Sequence, residues 1–286
     1  MFRHPPHGPH GHMTPDDLDD DEGSYVVAVS GKGGVGKTTV SALLLKYLAK
    51  TYKGKDILVV DGDPASNIPE VIGLETDLEK TVSKVTYNLK KKIEKGTLPP
   101  DYDKGLALEA DIYKIMYELD EFDILVLGRG EGKGCYCFIN NLLKNIMDPL
   151  EDAYDIIFMD MVAGLEHLSR RTDKNVDELI IVTDMSKMGF NTVERIVEIA
   201  KEVHLEFRKF WIIGNRFEKD AEPLLESLVK KIKDDTNVDI ELAGFVPNDV
   251  EIATSNLKSV PVYKISDDNP AYQAAEKIAK KMFNFD

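Results

Sequence analysis

The sequence predicts an α/β fold, a doubly wound and mostly parallel sheet with helices on both faces. Three observations lead there. Apolar runs of five or six residues, such as 25–29 and 154–159, lack alternation, as strands buried on both faces do. Strand and helix patterns alternate along the chain, which favours right-handed crossovers between parallel strands. The notable polar groups fall just after strands, where such sheets bind ligands.

Residues 1–23 read as a leader outside that fold. His4, His7, His10 and His12 alternate with Pro and Gly, and Asp16, Asp17, Asp19, Asp20, Asp21 and Glu22 follow. Such a composition buries too little apolar surface to offset chain entropy, so disorder is expected. The imidazoles suit Ni²⁺ or Zn²⁺, and an expression tag has the same look.

Residues 24–286 read as one domain without an internal repeat. Residues 25–29 form the first strand, followed by a glycine-rich loop and a helix over 40–48. The second strand, 56–60, ends at Asp61-Gly62-Asp63-Pro64. Helices are expected over 78–95 and 110–119, with a proline loop at 98–100 between them. A third strand covers 122–127 and a helix 138–150; the fourth strand, 154–159, ends at Asp160. A fifth strand at 178–183, an amphipathic helix at 192–203 and a sixth strand at 210–214 come next. A helix at 221–233, a last strand at 240–246 and short helices near Val250 and Ala271 complete the chain.

The net charge of −15 argues against broad contact with DNA or RNA backbones. No apolar run is long enough to span a membrane, and the N-terminus lacks a signal core, so a cytoplasmic protein is expected. Cys135 and Cys137 are the sole cysteines. A pair that close makes a poor structural disulfide and fits a thiol or metal role better.

The loop carries the sharpest chemistry. Strand, Gly31-Lys32-Gly33-Gly34-Val35-Gly36-Lys37-Thr38-Thr39, then helix is the context of a phosphate-binding loop. Glycines let backbone N–H groups approach phosphate oxygens, and the helix adds its positive end. Lys37 would reach the β- and γ-phosphates of a nucleoside triphosphate, and the Thr38 hydroxyl would bind Mg²⁺.

Lys32, just after the first glycine, makes this loop resemble the deviant Walker A of the MinD, ParA and nitrogenase iron-protein superfamily. The resemblance implies ATP held between two subunits, hence an ATP-dependent homodimer in which Lys32 reaches the partner's nucleotide. Such a lysine would act as an arginine finger does. The resemblance also implies that Asp63 orients the attacking water, Asp61 lies near Mg²⁺ and Asp160 contacts Mg²⁺ through water. Asn215 would contact adenine, and Pro247-Asn248-Asp249 would form a second loop beside the base.

The block Gly128-Arg129-Gly130-Glu131-Gly132-Lys133-Gly134-Cys135-Tyr136-Cys137, with Asn140-Asn141-Leu142-Leu143, closely resembles the nickel-insertion ATPases of carbon monoxide dehydrogenase, the CooC family. So does the stretch 160–170. This implies a Cys-x-Cys pair at the dimer interface, where two copies complete a four-thiolate site for Ni²⁺ or Zn²⁺. Carbon monoxide dehydrogenase would be the acceptor, with no nucleic acid and no membrane as partner. Thiolates suit both metals, and one pair per chain leaves coordination half complete. His167 would couple nucleotide state to the metal or simply pack.

Two departures stand out. Gly62 occupies a position where an alanine-like residue is expected, and no cysteine stands between Asp160 and Gly164. A bridging [4Fe–4S] cluster would need that cysteine. Other readings are a positioning ATPase on membrane or DNA and an iron–sulfur carrier, whose Cys-x-x-Cys near the C-terminus is absent.

Overall fold

The unalternating apolar runs become the inner strands of one sheet. The computed structural model describes residues 24–63, 65, 67–99, 103–129, 150, 152–161, 176–202, 207–258 and 260–283. Strands β1 (Tyr25–Ser30), β2 (Ile57–Asp61), β3 (Tyr117–Glu118) and β4 (Asp123–Val126) come from the first half. Strands β5 (Ile156–Asp160), β6 (Glu178–Thr183), β7 (Lys209–Phe217) and β8 (Ile240–Pro247) come from the second. Their order is β3-β4-β2-β5-β1-β6-β7-β8, parallel throughout except where β3 pairs antiparallel with β4.

Successive residues of each strand feed opposite cores. Val27, Val29, Val59, Phe158 and Ile213 face helices α1 (Lys37–Thr51), α2 (Asn67–Ile72) and the terminal α8 (Pro270–Phe283). Val26, Ala28, Leu58, Val60, Ile157 and Ile212 face α3 (Val82–Glu94), α4 (Lys104–Ile115), α5 (Lys187–Glu202) and α6 (Glu222–Thr236). A further helix, α7 (Val250–Leu257), follows β8. No helix among the described residues is long and apolar enough to cross a membrane.

Several expectations shift. The segment 110–119 is not one helix: α4 starts earlier, where Asp103 Oδ1 accepts from the N–H groups of Gly105 (2.9 Å) and Leu106 (3.1 Å). Met116 is extended, and Tyr117–Glu118 forms the edge strand instead. Helix α5 begins at Lys187, five residues before the expected start at Thr192. The C-terminal helix is fourteen residues long, packed on α1 and β8. The expected helix at 138–150 lies outside the described residues except for Leu150.

Candidate active site

The carboxyl ends of β1, β2 and β5 meet around the loop that joins β1 to α1. Gly31 has φ +145°, and a Cβ there would lie 2.2 Å from the Val182 carbonyl oxygen of β6, so no other residue fits. The loop closes at Gly36 (φ 88°), after which α1 starts without a side-chain cap. Its first N–H groups are left to a ligand. Lys37 is buried, and its ammonium donates to the Lys32 carbonyl at 3.4 Å. Gly33, Gly34, Lys37, Thr38 and Asp63 line a cleft of about 420 Å³, while Lys32 is half-buried. A polyanion and a cation suit this cleft.

Asp61 and Asp160 end neighbouring strands in register, both buried. Asp61 accepts from the backbone N–H groups of Asp63 and Ile68, each at 3.1 Å, and so starts α2. Burial pushes its carboxyl up to about 7, helped by the Asp160 charge, against the pull of those two donors. Asp160 is pushed up to about 6, mainly by burial, against the Thr38 hydroxyl and the Lys37 charge. Thr38 is near enough to lower that value, yet neither Asp160 oxygen closes a hydrogen bond of normal geometry with a described residue. Buried, orphaned carboxylate oxygens beside a threonine hydroxyl fit a hard divalent cation such as Mg²⁺.

Asp63 lines the cleft, its Oδ1 accepting from Ala65 N at 2.8 Å. The Gly62 departure has a local cause. A Cβ there would lie 2.7 Å from Met161 Sδ, so Met161 fills the space an alanine methyl would take.

Asn215 and Pro247 come together on the far side of the loop. With Asn248, Asp249 and Ile252 they line a hollow of about 110 Å³ that also touches Gly36 and Thr39. The Asn215 amide donates to the Val35 carbonyl at 2.8 Å, tying this wall of the hollow to the loop. The sequence reading missed Arg216, which lines both cleft and hollow, and Asn67, Glu70, Val71 and Val260 in the cleft wall. Arg216 directly follows a singled-out residue; the others carry no sequence signal.

Cys135, Cys137 and His167 lie outside the described residues, and no group of three metal-ligating side chains occurs among the described ones. The path toward the cysteines is described as far as Arg129. Leu127 N donates to the Asp61 carbonyl at 2.9 Å, and Ser83 Oγ of α3 donates to the Leu127 carbonyl at 2.7 Å.

Residues 26–262 match the family described as the CobQ/CobB/MinD/ParA nucleotide binding domain. The chain belongs to this family. Among its relatives is an uncharacterized ATP-binding protein of Methanocaldococcus jannaschii, 42% identical over 259 residues, which cover 91% of this chain and 98% of the relative. The carbon monoxide dehydrogenase accessory protein CooC of Rhodospirillum rubrum is 26% identical over 251 residues, covering 84% of this chain and 90% of that protein. A ParA family ATPase from Chlorobium tepidum shares the fold with a TM-score of 0.64 at 18% identity, covering 90% of this chain and 99% of that one. CobQ/CobB/MinD/ParA domains are nucleotide-binding by description, in keeping with the cleft built here around Gly31, Lys37 and Asp160.

Proposed function

We propose that this P-loop ATPase is a nucleotide-gated dimer that binds Ni²⁺ through Cys135 and Cys137 and delivers it to a carbon monoxide dehydrogenase. The observation that carries this reading is the Cys-x-Cys block, which continues directly from β4, the strand whose end is hydrogen-bonded to Asp61. The likeness to the accessory protein CooC supports it.

In this reading the loop from Gly31 to Thr39, with Gly33, Gly34, Val35 and Gly36, cradles the phosphates of ATP, and Lys37 neutralises their charge. Thr38 and Asp160 hold Mg²⁺, with Asp61 behind them; bound there, Mg²⁺ would offset phosphate charge. Asp63, lining the cleft, orients the attacking water. Asn215 and Pro247 hold the base in the adjoining hollow. Lys32, half-buried at the loop's edge, supplies positive charge to the partner's nucleotide. ATP closes the dimer, bringing two thiolate pairs together; hydrolysis parts them.

Equilibrium dialysis of Ni²⁺ against chain lacking residues 1–23 tests the metal assignment. One tight metal per dimer, lost in Cys135→Ser and in Cys137→Ser, is the expected result. Tight binding that survives both changes would refute it.

The second reading is a MinD/ParA-type positioning ATPase, which the family description and the ParA-like fold support equally. Against a membrane role for the terminal helix stands its apolar face. Ala271, Tyr272, Ala275, Ile278, Ala279, Met282 and Phe283 are buried against the core. Strong ATP-dependent pelleting with liposomes would favour the positioning reading.

A further inference from the structure

We propose that Arg216 is a positioning residue of the phosphate-binding loop, one that fixes the loop and its two lysines from the β7 side. The first observation is conformational. Arg216 has φ 58° near the end of β7, and the register with β8 slips between Asn215 and Phe217. A long side chain avoids the left-handed region unless its surroundings dictate it.

The second observation says what that conformation achieves. Along a regular strand, neighbouring side chains point to opposite faces. The left-handed turn breaks this rule, so Asn215 and Arg216 both reach the same loop. Asn215 Nδ2 donates to the Val35 carbonyl at 2.8 Å, and Arg216 Nη2 donates to the Gly34 carbonyl at 2.6 Å. Two successive loop carbonyls are therefore held back toward β7.

A trans peptide points its N–H away from its carbonyl. Fixing the Val35 carbonyl thus turns the Gly36 N–H away from Asn215. Fixing the Gly34 carbonyl turns the Val35 N–H toward the Lys32 carbonyl, 3.5 Å away. That same carbonyl accepts from Lys37 Nζ. The hold of Arg216 on Gly34 is thereby relayed to the backbone of Lys32 and the ammonium of Lys37.

The guanidinium is braced on its other side. Asp184 Oδ2 lies 3.9 Å from Nη2, and Asp184 Oδ1 is itself fixed by the N–H (3.1 Å) and hydroxyl (2.5 Å) of Ser186, just before α5. Arg216 therefore spans from the loop to the start of α5. Its side chain, 46% exposed, borders both the phosphate cleft and the base hollow.

The proposal rests on nucleotide binding in this cleft and is independent of the metal at the cysteines. The test is titration of the full chain with MgATP and steady-state ATP hydrolysis in wild type, Arg216→Gly and Arg216→Lys. Glycine adopts φ 58° without strain, so Arg216→Gly is expected to melt no lower than wild type. Its KM for ATP is expected to rise at least about 10-fold with kcat within about 3-fold, the pattern of lost uniform binding. Millimolar guanidinium is expected to restore affinity in Arg216→Gly and to leave Arg216→Lys, already filled by its own side chain, unchanged. Wild-type affinity in Arg216→Gly would overturn the proposal. So would lost affinity that tracks a lowered melting temperature and resists guanidinium. Wild type that fails to bind ATP would instead sink the nucleotide reading itself.

Discussion

Glu178 is a buried acid at the edge of the sheet opposite the cleft. It opens β6 at the end remote from the cleft, buried, and its Oε2 accepts from Trp211 Nε1 at 2.8 Å. Burial pushes its carboxyl up to about 7, against the pull of Tyr25, Trp211 and Lys209. A raised carboxyl favours the protonated form in the fold. Its contribution is therefore complete below the unfolded value near 4.5 and is lost as pH climbs through about 7. Glu178→Gln keeps an acceptor for Trp211 and removes the charge. Its stability relative to wild type is expected to grow between pH 5 and 8, by up to about 3 kcal/mol. Urea melts at the two pH values check this, and an unchanging difference would contradict it. At the loop, Lys32→Ala is expected to bind ADP as wild type does but to hydrolyse ATP at least about 100-fold more slowly, the loss seen when a charge-donating finger goes. Single-turnover assays read that directly. Asp61 and Asp160 are legible in the sequence because each ends an apolar strand, and Asp63 because it follows the end of β2 by two residues. Arg216 is not, since its part depends on a backbone angle that no residue type announces.

Among the elements, the strands were the most legible, because burial on both faces writes them as unbroken apolar runs. Elements held by single polar contacts were the least legible. Helix α2 was not foreseen; the Asp61 carboxylate receives its Ile68 N–H, an interaction between strand end and helix start. Strand β3 has two residues, too few for any period, and was absorbed into the helix before it. The terminal helix is longer than the short one expected near Ala271, and its apolar residues are buried against α1 and β8. A Cβ on Gly244 of β8 would lie 2.8 Å from Ile278 Cγ1, so helix and strand approach closely there. Ile278→Ala is expected to cost about 2–4 kcal/mol in a denaturant melt while leaving liposome pelleting as it was. A membrane anchor would show the reverse: altered pelleting at unchanged stability.

At the scale of the whole molecule, the cleft sits at the carboxyl edge of the sheet, and the chain toward Cys135 and Cys137 leaves β4 from that same edge. The backbone ties from Asp61 to Leu127, and from Leu127 to Ser83 of α3, join the nucleotide side to the start of that block. Gating of the metal by nucleotide is the claim that unites the two. The family model and the fold are common to MinD- and ParA-type proteins as well, so coupling between nucleotide and metal is what distinguishes this reading. The direct measurement is the Ni²⁺ dissociation constant of one preparation of chain lacking residues 1–23. It is taken once with MgADP and once with a non-hydrolysable ATP analogue, with mass determined alongside. The account predicts a dimer with one metal in the ATP-like state and at least about a 10-fold change in affinity between the two, a coupling of about 1.4 kcal/mol. Equal affinity in both states, or a monomer throughout, would contradict it.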